Sequence, residues 1–267
     1  MTIEVRRLAR PGVSLAYTDA GGAGLPVVLC HGAGMDRTMF DAQADALVGA
    51  GYRVISWDLR GHGASVLSSA ARFTASDALD DLAMLLDECD VDRAVLVGHS
   101  LGGNLAQAFV RARPERAAGL IVLDSTWNTG PLAWWERFAL RLAAPSLALV
   151  PARSLPGMMA RASAESDTAI ARTEAVFARM PKRVFLDVWS ATVSFVEPAP
   201  DYRTPVPLAL VRGAADRTGN IASAMPAWAR AEGIVEHVIP DAGHIVTWDA
   251  PEESSRILLE VLTGWER

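Results

Sequence analysis

Lysine is almost missing from this chain: Lys182 is the only one, and it follows Pro181. A glycine-rich phosphate loop ending in Gly-Lys-Ser/Thr therefore cannot be written anywhere in the sequence. Cysteine is nearly as scarce. Cys30 and Cys89 each sit in an apolar stretch, without the spacing of a disulfide framework. No CxxC, HExxH or HxxxH pattern occurs, so no metal site is expected. Blocks of positive charge are absent too: 25 Lys and Arg stand against 31 Asp and Glu, a net charge of −6. That balance argues against nucleic acid or an anionic membrane as the principal partner. The longest charge-free stretch of membrane-like hydropathy, Leu142 to Ala152, is too short to span a bilayer and carries Pro145 and Pro151. Met1 to Arg7 offers neither an apolar core nor a small-residue cleavage site, so a signal peptide is not expected. These absences predict a soluble, cytoplasmic protein.

What is present is a large supply of core. Of 267 residues 51% are hydrophobic, enough for one large α/β unit with an insertion. Short apolar runs rich in β-branched residues alternate with helix-length amphipathic segments. The runs are Pro26 to Cys30, Tyr52 to Trp57, Arg93 to Gly98, Gly119 to Asp124, Val206 to Arg212 and Val235 to Ile239. Helices are expected over Asp41 to Ala50, Thr74 to Cys89, Leu101 to Ala112, Ile221 to Ala231 and Pro251 to about Trp265. Uniformly apolar strands separated by helices describe a parallel sheet buried on both faces. Ile3 to Leu8 and Val13 to Thr18 alternate more strongly and predict an antiparallel edge.

Between Asp124 and Val206 this rhythm breaks. The stretch is helical in character, holds Trp127, Trp134, Trp135 and Trp189, and is closed by Pro198, Pro200, Pro205 and Pro207. A structureless loop of that length would be unusual, so 125–205 is expected to form a helical cap over a core made of 1–124 and 206–267.

Gly98-His99-Ser100-Leu101-Gly102 directly follows an apolar strand and directly precedes a helix. In that context a serine is forced onto a tight, strained turn with its hydroxyl above the sheet, and flanking glycines relieve collisions with neighbouring backbone. Such a hydroxyl needs a base, and the base an orienting carboxylate. Of the five histidines, His99 is expected to point away along the turn, His31 and His62 to brace glycine-rich loops, and His237 to face solvent. His244 lies past the last strand, at the carboxyl edge where catalytic groups gather in open α/β sheets. Asp216 reaches the same edge from Gly213-Ala214-Ala215-Asp216 and is preferred as the acid. Asp124, ending its own strand, is the rival. Asp241 and Asp249 stand too near His244 in sequence to reach its far nitrogen.

The chain order Ser100, Asp216, His244 is that of the α/β-hydrolase triad, and the sequence resembles that superfamily nearly end to end. The matching motifs are Val27 to Gly32, Asp58-Leu59-Arg60-Gly61-His62-Gly63-Ala64-Ser65, Gly98 to Gly103, Gly213 to Asp216, and Pro240 to His244 with Pro251-Glu252-Glu253. The resemblance implies an eight-stranded, mostly parallel sheet, a cap after the sixth strand, no cofactor, and an oxyanion hole from the backbone amides of Ala33 and Leu101. The expected function is a serine hydrolase acting through an acyl-enzyme on a small or medium, largely apolar carboxylic ester or lactone. Serine at this position disfavours the dehalogenase and epoxide hydrolase chemistry of relatives that displace with an aspartate. Met35, Met39, Trp127 and Trp248 are candidate pocket residues. Carbon–carbon hydrolysis of ring-cleavage products is the enzymatic alternative, and a ligand-binding, catalytically slow module the alternative of another class.

Overall fold

The computed structural model describes residues 3–132, 142 and 145–266; Trp134 and Trp135, named above, lie outside them. Among the described residues nine strands form one sheet: β1 (Arg6–Arg10), β2 (Val13–Asp19), β3 (Pro26–Cys30), β4 (Arg53–Trp57), β5 (Val66–Leu67), β6 (Ala94–His99), β7 (Ala117–Leu123), β8 (Leu208–Gly213) and β9 (His237–Ile239). The spatial order is β1-β2-β4-β3-β6-β7-β8-β9, with the two-residue β5 paired onto β2. The path is therefore eight strands long. It is parallel from β4 to β9, and antiparallel where β1, β2 and β4 meet. The short β5 escaped the sequence reading because two residues in a glycine-rich loop leave no period to read.

The continuous apolar character of the central strands follows from their burial. Of the helices α1 (Asp41–Gly49), α2 (Ala75–Glu88) and α3 (Leu101–Ala112), the last two send Leu82, Leu85 and Phe109 into the core faced by Val28, Cys30, Leu96, Val122 and Leu210. The intervening Val27, Leu29, Val95, Val97, Ile121 and Val211 face a second core with Leu258 and Leu262 of the last helix, Pro251–Trp265. Successive side chains thus enter opposite layers, and both layers are dry.

Helix α2 begins where Thr74 accepts the Asp77 amide while its hydroxyl donates to the Asp77 carboxylate, a reciprocal cap. Further along, Asp81 is fully buried and receives Nε and Nη2 of Arg60 at 2.7 and 2.8 Å. This fork fastens the loop after β4 to α2. Asp81→Ala would leave the buried Arg60 charge with only the half-exposed Asp77 carboxylate, at 2.8 Å, so chemical denaturation should report a loss of about 3 kcal/mol.

Three described helices occupy the segment between β7 and β8: Leu155–Ser163, Asp167–Phe177 and Lys182–Phe195. They rest on loops at the carboxyl ends of the strands. Phe177 lies over Gly34, where a Cβ would come within 2.2 Å of its ring, and Val184 lies over Gly61. Arg179 pairs with the buried Asp36 at 3.0 Å. Lys182, the lone lysine, donates to the carbonyls of Ala148 and Val150 rather than to any loop that could take phosphate. No helix among the described residues is long and apolar enough to cross a membrane.

Candidate active site

Ser100 joins β6 to α3 with φ 51° and ψ −116°, a left-handed conformation that costs a non-glycine residue about 1–3 kcal/mol. Its neighbours explain how the turn can be so tight. A Cβ on Gly98 would sit 2.3 Å from the Gly102 carbonyl oxygen, and one on Gly102 would sit 2.0 Å from that of Cys30. Only glycine fits at either place. The Ser100 amide donates to the Leu123 carbonyl at 3.0 Å, and its own carbonyl accepts the Ser125 hydroxyl at 2.7 Å, so β7 holds the turn from the side. The Ser100 hydroxyl is half-buried and makes no hydrogen bond among the described residues.

At the neighbouring strand end, a Cβ on Gly213 would lie 2.1 Å from the Gly243 carbonyl oxygen, so the loops after β8 and β9 meet backbone to backbone. That contact brings His244 Nδ1 to 3.0 Å from Asp216 Oδ2, with both side chains buried. Burial by itself would raise the Asp216 carboxyl. The hydrogen bond and charge of His244, and the Thr218 amide at 2.7 Å, instead bring it down to about 2, so it is ionised and can only accept. The proton of the pair therefore sits on Nδ1, leaving Nε2 with its lone pair.

Two residues hold His244 that the sequence reading had set aside. The His99 ring does not point away along the turn: it packs 4.7 Å from the His244 ring, and its Nε2 donates to the His244 carbonyl at 2.7 Å. Burial, reinforced by the nearby His244, lowers the His99 pKa to about 3, which keeps it neutral. Asp249 acts from the other side. Its carboxylate accepts the Gly243 amide at 2.9 Å and the amides of Glu165 and Ser166, while the Ile245 amide donates to the Ser163 carbonyl. The loop carrying His244 is thereby tied to the helical segment above it. An acidic residue two positions before Pro251 was the available signal, but it was weighed only as a partner for the imidazole.

The turn after β3 completes the surroundings of Ser100. His31 Nδ1 donates to the Gly32 carbonyl at 2.8 Å and Nε2 accepts the Leu59 amide at 2.9 Å, a neutral tautomer favoured by burial, which lowers its pKa to about 4. His62 Nδ1 meets the Arg60 carbonyl at 3.0 Å. Both histidines brace loops. Gly32 then presses on the serine turn: a Cβ there would lie 2.5 Å from His99 Nδ1 and 3.4 Å from Ser100 Cβ. The amides of Ala33 and Leu101 find no acceptor among the described residues, and the second opens the twelve-residue helix α3. An unsatisfied helix N-terminus favours negative charge.

The four expected pocket residues separate. Met35 lines a cavity of about 230 Å³ with Gly34, Gly61, Val176 and Arg179. Met39 is wholly buried in the second core. Trp127 stacks on Trp228 at 6.1 Å and 4°, with its ring also against Gly130, and lines a separate cavity of about 170 Å³ with Pro131 and Ala224. Trp248 is buried beneath the Arg172 guanidinium, 4.3 Å from the ring centre. A second cavity, of about 280 Å³, is lined by His244, Ala215, Gly243, Ser163, Glu165 and two arginines, Arg161 and Arg217.

The rival acid is not remote. Asp124, Asp216 and His244 each offer an atom within 4.8 Å of the others, the nearest approach to a metal-ligand set among the described residues. His244 Nδ1 is engaged by Asp216 and Asp124 Oδ1 by the Gly213 amide, so two of the set's atoms are already hydrogen-bonded within the protein.

Comparison with known proteins agrees with this architecture. The model of the alpha/beta hydrolase family matches residues 27–256. The chain is 29% identical to a thermophilic esterase from Thermogutta terrifontis, with a TM-score of 0.80 over 99% of this chain and 100% of that one. It is 30% identical to BpoC of Mycobacterium tuberculosis, assigned as a non-heme bromoperoxidase, over 93% of this chain and 97% of that protein. An epoxide hydrolase of Caballeronia sordidicola is 38% identical over 49% of this chain, and the chain spans only 40% of that relative's length. The motifs, the sheet order and the matched span agree: this chain belongs to the alpha/beta hydrolase family, and hydrolysis is the activity its relatives support.

Proposed function

We propose that the protein is a serine hydrolase of small or medium, largely apolar carboxylic esters or lactones, with Ser100, His244 and Asp216 as its triad and the helices of 125–205 as a cap. The observation that carries this reading is the pairing of Asp216 with His244 Nδ1 at 3.0 Å, with the His244 ring packed on His99, the residue that precedes a serine held in a left-handed turn. His244 Nε2 takes the hydroxyl proton as Ser100 Oγ bonds to the acyl carbon. The amides of Ala33 and Leu101 hold the oxyanion, each donor contributing about 3–4 kcal/mol in comparable sites. His244 then returns the proton to the departing alkoxide, and a water repeats the sequence to release the acid. The similarity to an esterase over the whole chain supports the ester class. Serine at position 100 gives an oxygen nucleophile that must be deprotonated, unlike the ionised carboxylate that opens an epoxide by displacement.

One observation favours carbon–carbon hydrolysis as the second reading: Arg161 and Arg217 line the cavity at His244, where guanidinium groups could hold the carboxylate of a dienone acid. A ladder of p-nitrophenyl esters of rising chain length, with fluorophosphonate labelling located by mass spectrometry, separates the two. Labelling at Ser100 with fastest turnover of the short esters is expected. Labelling without ester turnover would transfer the assignment to carbon–carbon chemistry or to a slow binding module.

A further inference from the structure

Asp124 is the most deeply buried carboxyl near the site, and the triad chemistry does not use it. It directly follows β7 in a left-handed conformation, φ 42°, with no exposed surface. Its Oδ1 accepts the Gly213 amide at 2.9 Å. Its Oδ2 is buried too, and no donor among the described residues reaches it. A carboxylate oxygen stripped of water and of donors is among the most costly arrangements a protein can hold, whereas a carboxylic O–H needs only an acceptor. The acceptor is at hand, because the Asp216 carboxylate lies within the same 4.8 Å cluster.

The two carboxyls are unequal. Asp216 receives His244 and the Thr218 amide, while Asp124 receives one amide. A single negative charge shared by the pair therefore belongs on Asp216. The other charged groups facing Asp124 do not reverse this. The Arg212 guanidinium on β8 is already bound to Glu236 and the Gly213 carbonyl, and His244 lies across Asp216. Burial first, and then the charge of Asp216, push the Asp124 carboxyl well above the usual carboxylate range.

We propose that Asp124 is a neutral carboxylic acid in the folded protein and donates a hydrogen bond to Asp216, which makes it a positioning residue for the triad acid. The positioning role rests on the hydrolase reading above; the retained proton does not. Folding then takes up one proton at this side chain, since an unfolded Asp124 ionises above about pH 4.

The test compares urea unfolding of the native chain and Asp124→Asn from about pH 5 to about pH 8. Asn keeps the shape, the acceptor for Gly213 and a donor for Asp216, but binds no proton. The folding constant of the variant should gain on that of the native chain by up to about tenfold per pH unit as pH rises. A constant ratio across the range overturns the proposal whatever the substrate is. On p-nitrophenyl acetate, Asp124→Asn should lose less than about fivefold in kcat, while Asp124→Ala, which removes the donor, should lose at least about tenfold with KM unchanged. An Asn variant as impaired as the Ala variant, or an Ala variant as active as the native chain, overturns the positioning role.

Discussion

Ser100→Ala should lower kcat on a short-chain p-nitrophenyl ester by on the order of 10⁴-fold or more, with KM changed little. The size follows from what the hydroxyl alone supplies. His244 and Asp216 would remain paired, and the Ala33 and Leu101 amides would still donate to an oxyanion, so residual hydrolysis by water would survive at the level those groups support. The backbone of the turn makes the comparison a clean one. Its strain at φ 51° is maintained by Gly98, Gly102 and the bond from the Ser100 amide to Leu123, none of which involves the side chain. The hydroxyl makes no hydrogen bond among the described residues, so its loss should leave the unfolding midpoint almost unchanged. Fluorophosphonate should no longer label the variant. Turnover within about tenfold of the native chain would remove Ser100 from the chemistry and with it the acyl-enzyme.

The parts of this architecture that were legible in the sequence are those in which one local rule dominates. Leu101–Ala112 and Pro251–Trp265 lie where an apolar period of 3.6 begins at a turn or a proline. The central strands lie where both neighbours of every residue are buried. The tight turn at Ser100 was legible because two glycines flank it, each needed against a specific backbone oxygen. What escaped depends on directions that spacing does not encode. His99 packs its ring on His244, 145 positions away in the chain, and spacing within the serine motif does not report that partner. Trp127 packs on Trp228, just over one hundred positions away, so composition of the 125–205 segment could not say which ring faces a pocket. Asp216 and Asp124 stand as rivals in the sequence because both reach the carboxyl edge, Asp124 directly from its strand and Asp216 through the glycine turn after the next one. β7 and β8 are adjacent and in parallel register, which places the two carboxyls side by side instead.

Asp216→Asn should lower kcat by about 10⁴-fold, the second largest effect expected in this protein. The carboxylate is an acceptor only, so it selects the imidazole tautomer with the proton on Nδ1 and the lone pair on Nε2. An asparagine at this position can present its amide N–H₂ to Nδ1. That stabilises the opposite tautomer, in which Nε2 carries the proton and cannot accept one from Ser100. It also removes the charge that balances the imidazolium formed as the serine attacks. The same substitution has a signature in stability. The folded pKa of Asp216, about 2, lies below its ordinary 3.8, so the advantage of the native residue is fully present above 3.8 and is lost as pH falls through about 2. Asp124 carries the opposite sign, its folded carboxyl being raised, and its penalty grows with pH instead. Two neighbouring carboxyls whose replacement by Asn bends the stability profile in opposite directions would identify which of them holds the charge. Should Asp216→Asn keep near-native turnover while Asp124→Asn loses on the order of 10⁴-fold, the triad acid is Asp124 and the division of roles between the two carboxyls is reversed.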